Sequence, residues 1–148
     1  MFVDTLVGDV YDTIVTPSRV KADAPLREVV ELMIANPRSR KAYVIDDNGL
    51  YIGTVSTETI LRLLGYRVGV KDGSGLSFYH FLRDAMKEQV KDVMVRGRTV
   101  TKETKLVKAL GIMLEDHLND LPVVDADGKL IGELISLELF IKGRNLFK

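Results

Sequence analysis

A chain of 148 residues, with 21 Lys+Arg balanced by 21 Asp+Glu and 46% hydrophobic content, can fold as one compact domain or as two small, mutually dependent ones. Without Cys it carries neither a disulfide scaffold nor a thiol nucleophile, and its zero formal net charge argues against nucleic acid as a partner. No apolar run approaches the roughly eighteen residues of a membrane span, and Met-Phe-Val-Asp-Thr lacks the layout of a signal peptide, so a soluble cytoplasmic protein without a membrane partner is expected.

In chain order, Val7-Gly8-Asp9-Val10-Tyr11 leads to an extended stretch ending at Val20. Leu26, Val29, Val30 and Met33 then fall at helical spacing, with Pro25 suited to the first helical turn. Two short strands follow, Ala42–Ile45 and Leu50–Val55, joined by Asp47-Asn48-Gly49, where Asn and Gly tolerate the positive φ of a tight hairpin. Ser56-Thr57 opens a further helix as its N-cap. Lys71-Asp72-Gly73-Ser74-Gly75 reads as a loop; it lacks the Gly-Lys-Ser/Thr of a phosphate loop. Phe78, Phe81, Leu82, Ala85, Met86 and Val90 predict one helix capped by Ser77.

The remainder repeats the beginning. Val90-Lys91-Asp92-Val93-Met94 echoes residues 7–11, and Val100-Thr101-Lys102-Glu103-Thr104-Lys105-Leu106 echoes residues 20–26. Leu106, Ala109, Leu110, Met113 and Leu114 predict the matching helix, with Thr104 as its cap. Pro122-Val123-Val124-Asp125-Ala126-Asp127-Gly128 answers Tyr43–Gly49, giving strands Leu121–Val124 and Leu130–Ile135 before a helix capped by Ser136. The offset drifts from 83 to 79 along the blocks, so the copies differ by small loop insertions. Repeat 1 spans residues 7–65, a connecting loop and helix 66–87, and repeat 2 residues 88–142. Each copy is a β-α-β-β-α unit of about 55 residues, too small to be secure alone. The expected fold is α/β of the α+β kind, the two repeats packed sheet to sheet with pseudo-two-fold symmetry and clefts where they meet.

Asp92-Val93-Met94, Val100-Thr101, Leu121-Pro122-Val123-Val124-Asp125 and Gly128-Lys129-Leu130-Ile131-Gly132 together resemble the tandem cystathionine-beta-synthase (CBS) domain, or Bateman module. The first copy is looser, with Tyr11 where Met is usual and Ala42-Tyr43 where Leu-Pro is usual. The resemblance implies a homodimeric regulatory module that takes an adenine nucleotide (AMP, ADP or ATP) between its repeats and signals to a separate effector protein, with no cofactor required. In the family a Gly-x-x-Ser/Thr-x-x-Asp pattern at the last helix holds phosphate and ribose, the carboxylate accepting from the ribose diol. Each such charged bond contributes about 1.5–3 kcal/mol.

Both copies depart from that pattern. Gly53-Thr54-Val55-Ser56-Thr57-Glu58-Thr59 keeps the hydroxyl at Ser56 but has Thr59 at the Asp position. Gly132-Glu133-Leu134-Ile135-Ser136-Leu137-Glu138 has the carboxylate at Glu138 but Ile135 in place of the hydroxyl. The resemblance assigns the first site to Thr16, Ala42, Tyr43, Ser56 and Thr59, with Arg40 or Lys41 toward phosphate, and the second to Val95, Thr99, Leu121, Pro122 and Glu138. Arg38, Arg96 and Arg98 are further basic residues near the clefts.

Catalysis is not expected, since no nucleophile elbow, His-Glu-x-x-His motif or Cys nucleophile is present. His80 reads as a packing residue beside Phe81, and His117 as a cation at a helix C-terminus, with no ligand cluster around either. The rival reading is a protein-interaction scaffold with degenerate nucleotide sites, its working surface the Phe78–Val90 helix.

Overall fold

The computed structural model describes residues 2–11, 17–37, 39–68 and 75–144. After a short 3-10 turn at Val7–Asp9 come β1 (Arg19–Lys21), α1 (Leu26–Ala35), β2 (Lys41–Ile45), β3 (Tyr51–Ser56), α2 (Thr57–Val68) and α3 (Gly75–Ala85). A second 3-10 turn, Val90–Asp92, precedes α4 (Leu106–Asp116), β4 (Asp120–Val124), β5 (Leu130–Ile135) and α5 (Ser136–Gly143). The mixed α+β fold and its internal repeat match the expectation. In the second copy the opening strand is reduced to a parallel bridge between Val100 and Val123, where the first copy has β1 parallel to β2 with Val20 opposite Val44.

The chain forms two compact units, residues 18–47 with 52–97, and residues 1–17 with 48–51 and 98–148. In the first, Leu26, Val29 and Met33 of α1 pack with Val44, Val55, Ile60 and Leu64. In the second, Leu106, Ala109, Ile112 and Met113 of α4 pack with Leu121, Val123, Leu134 and Leu139. The opening turns are exchanged between the copies. Val90 and Val93 complete the core of the first unit, and Val7 and Val10 that of the second. Backbone bonds fix both exchanges: Val90 and Lys91 donate to the Ala24 and Ala22 carbonyls at 2.9 and 2.8 Å, as Val7 and Gly8 donate to Thr104 and Lys102 at 2.8 and 2.9 Å. The compact units therefore interleave with the sequence repeats.

The hairpin turns depend on Gly49 and Gly128, at φ +83° and +88°, where a side chain would be strained. Several helix ends depart from expectation. Pro25 is the extended residue before α1, not its first turn, and Lys105 takes that place before α4. The Thr104 hydroxyl instead accepts from the Thr101 amide at 3.0 Å, closing the turn upstream. α5 is preceded by Ile135, so Ser136 is its first residue and not its cap. α3 begins at Gly75, which places Ser77 inside it, and stops at Ala85 instead of reaching Val90. Its extension is halted because the Met86 and Glu88 carbonyls accept from the Arg27 and Leu26 amides at 3.0 and 2.7 Å, satisfying the free donors of α1. His80 is exposed, and His117 closes α4 in the left-handed conformation, φ 54° and ψ 47°.

Candidate functional site

In the first unit the start of α2 is tied to the entry of β2, because the Thr57 amide donates to the Arg40 carbonyl at 3.2 Å. That bond gathers Arg40, Lys41, Ala42, Ser56 and Thr59 at one end of the sheet. Ser56 and Thr59 satisfy each other's backbones: the Thr59 amide donates to Ser56 Oγ at 3.1 Å, the Ser56 amide to Thr59 Oγ1 at 3.2 Å, and the two hydroxyls lie 3.0 Å apart. This is a reciprocal cap on α2, and it leaves both oxygens further hydrogen-bonding capacity. Arg40 is exposed and held at φ 59°. Ala42 and Tyr43 are fully buried, and the Tyr43 amide donates to the Ser18 carbonyl at 2.8 Å.

Val95, expected with the second copy's residues, belongs to the first unit. Its amide and carbonyl pair with those of Thr54 at 2.9 and 2.8 Å, two residues from Ser56 on β3, and its side chain is exposed. Nearby, Gly53 packs on Met94; a Cβ built there would lie 2.7 Å from Met94 Sδ.

The second unit repeats this frame with opposite charge. The Ser136 amide donates to the Asn119 carbonyl at 2.8 Å, setting the start of α5 beside the entry of β4. Leu121 and Pro122 are buried, and the Pro122 carbonyl accepts from the Val100 amide at 3.1 Å. Glu138, only 6% exposed, accepts from the Ile135 amide at 3.2 Å, taking the capping bond that Thr59 takes in the first copy. Sequence reasoning missed two further buried acids, Asp120 and Glu133. Asp120 holds the place of Lys41, and Glu133 faces Pro122 across the β4–β5 pair. The only signal was an acid directly before an apolar residue, Asp120 before Leu121 and Glu133 before Leu134.

Thr99 is exposed on the segment before Val100. Arg98 is committed elsewhere: it donates to both Asp116 carboxylate oxygens at 2.9 Å and to Glu115 at 2.8 Å, at the end of α4. Those bonds hold the Asp116 carboxyl below the usual carboxylate range and raise the Arg98 guanidinium further. Thr16 and Arg38 lie outside the described residues. No described helix is long and apolar enough to cross a membrane.

The family model of the CBS domain matches residues 7–66 and 90–138, and the chain belongs to that family, carrying the domain as a pair. It is similar to the uncharacterized protein MJ1426 of Methanocaldococcus jannaschii, 27% identical over 141 residues that cover 83% of each chain. It is also 30% identical over 128 residues to the chloroplastic CBS domain-containing protein CBSX2 of Arabidopsis thaliana, covering 78% of this chain and 53% of that protein. Among solved structures, a CBS domain-containing protein (tm0935) of Thermotoga maritima superposes with a TM-score of 0.76 at 26% identity, covering 96% of both chains. CBSX2 crystallised in complex with AMP superposes with a TM-score of 0.74 at 27% identity, covering 97% of this chain and 99% of that one. The protein is a CBS-pair regulatory module, of a kind that is generally not catalytic.

Proposed function

We propose that this CBS pair senses an adenine nucleotide and that the first unit supplies its phosphate and ribose contacts. The single observation that carries the assignment is the bond from Thr57 to Arg40, which sets two basic residues, Arg40 and Lys41, beside the Ser56 and Thr59 hydroxyls. Arg and Lys can neutralise phosphate there, and hydroxyls can bond phosphate or ribose oxygens. In the second unit Asp120 stands where the first has Lys41, so that position offers no cation to a phosphate. The AMP complex of CBSX2 supports the ligand class. Binding then acts by population shift, tightening one arrangement of the chain and altering what an effector protein meets.

Thr59 is the weak point, since a hydroxyl replaces the carboxylate that accepts from the ribose diol in the family. Thr59→Asp keeps an acceptor for the Ser56 amide and restores that carboxylate. We expect it to tighten AMP binding about tenfold, one charge-assisted bond's worth, and Arg40→Gln with Lys41→Gln to weaken ATP more than adenosine. Calorimetric titration of AMP, ATP and adenosine against the three proteins reads both effects. Unchanged affinities in both variants would refute the assignment.

The reading includes a cytoplasmic homodimer. Leu137, Phe140 and Ile141, spaced along one exposed face of α5, support a self-association surface that light scattering can test. The scaffold alternative has lost part of its proposed surface: Phe81 and Leu82 pack against the first unit's core, leaving Phe78 and Tyr79 outside, their rings edge to face at 6.0 Å.

A further inference from the structure

We propose a second binding site, for a small organic anion, in the cavity between the end of α3 and the first turn of α1. The cavity holds about 460 Å³ and is lined by Pro25, Arg27, Arg83, Met86 and Lys87. That volume lies in the range of small-molecule sites, roughly 300–1,000 Å³. Three of the five lining residues are cations, while Pro25 and Met86 supply an apolar floor, so the matching ligand carries a phosphate or carboxylate on an apolar body.

The backbone around the cavity is already satisfied. Leu26, Arg27 and Glu28 amides donate to the Glu88, Met86 and Pro25 carbonyls at 2.7, 3.0 and 2.9 Å. An anion here is therefore held by side chains, and the same bonds fix the segments from which Arg27 and Lys87 project. Arg83 meets Asp84 at 3.6 Å in an exposed pair, which contributes little. Among the described residues no ion pair joins Arg27 or Lys87 to an acid.

The internal repeat supplies the control. In the second unit the Leu106 amide donates to the Thr5 carbonyl at 2.8 Å, the counterpart of Leu26 to Glu88. Extending that match aligns Arg27 with Val107, Lys87 with Asp4 and Met86 with Val3. The Leu106–Thr5 bond, and the Lys108–Lys105 bond that answers Glu28–Pro25, thus form with an apolar and an acidic residue where the first unit has two cations. The fold does not require those charges. None of Arg40, Lys41, Ser56 and Thr59 lines this cavity, so the site is independent of the nucleotide assignment.

The test is a titration of the full-length 15N-labelled protein with phenyl phosphate and with inorganic phosphate at low salt. We expect saturable amide shifts at Arg27, Arg83, Met86 and Lys87, with phenyl phosphate binding more tightly. Arg27→Gln with Lys87→Gln should weaken phenyl phosphate about tenfold, while Arg62→Gln leaves it unchanged. Shifts spread evenly over exposed cations, or equal affinity in the double variant, would overturn the proposal. So would binding of an acidic peptide where phenyl phosphate fails, since that reassigns the cavity to a macromolecule.

Discussion

At the residue scale, Gly53 and Met94 lock together two segments that are 41 positions apart. A methyl group at residue 53 would stand 2.7 Å from Met94 Sδ and 3.1 Å from its Cβ, and the Cβ cannot swing away as a side-chain tip can. Gly53→Ala should therefore cost about 1–3 kcal/mol. Adding Met94→Ala in the same chain should restore much of that loss, a coupling that denaturant melts of the single and double variants would measure. A different sensitivity attaches to Asp116, whose carboxyl is held low by the Arg98 hydrogen bonds. A folded-state value below the unfolded one, about 3.9, favours folding above that pH and loses the contribution as pH falls through the folded value. Both groups are solvent-facing, so the effect on stability is small. Arg98→Gln should return the Asp116 carboxyl to the ordinary range, as an NMR titration of its side-chain carbon would record.

At the element scale, the strands and hairpins were legible because glycine is written where the backbone turns left-handed, at Gly49 and Gly128. α1 and α4 were equally plain from the spacing of Leu26, Val29 and Met33 and of Leu106, Ala109 and Met113, all of them buried. Helix ends were not, because the bonds that set them come from distant chain. α3 stops where its following carbonyls are claimed by α1, and α4 begins where the Thr5 carbonyl accepts from Leu106. The candidate site divides along the same line. Arg40, Lys41, Ser56 and Thr59 were grouped by the family resemblance, and their gathering needs only the local Thr57–Arg40 bond across one hairpin. The pairing of Val95 with Thr54, and the burial of Asp120 and Glu133, depend on tertiary partners that no local pattern announces.

At the scale of the whole molecule, each repeat's core contains a turn that the sequence assigns to the other. Val7 and Val90 are both fully buried, so truncating either to Ala should cost on the order of 1–3 kcal/mol. The location of the damage is the sharper prediction. Val90→Ala should lower amide-exchange protection at Leu26, Val29 and Val44, and Val7→Ala at Leu106, Ala109 and Leu121, because those are the clusters the two valines complete. The opposite pattern would mean that the exchanged turns do not support the cores they enter. The exchange also sets an order of events during synthesis. When the chain has left the ribosome as far as Gly97, Val90 and Val93 can already join Leu26 and Val29 in a finished body. Val7 and Val10 emerged long before, yet every α4 and β4 partner they need is still inside the ribosome. The earliest-made part of this module is thus among the last to be sheltered, and a nascent-chain chaperone meeting it would find two valines awaiting a core not yet made.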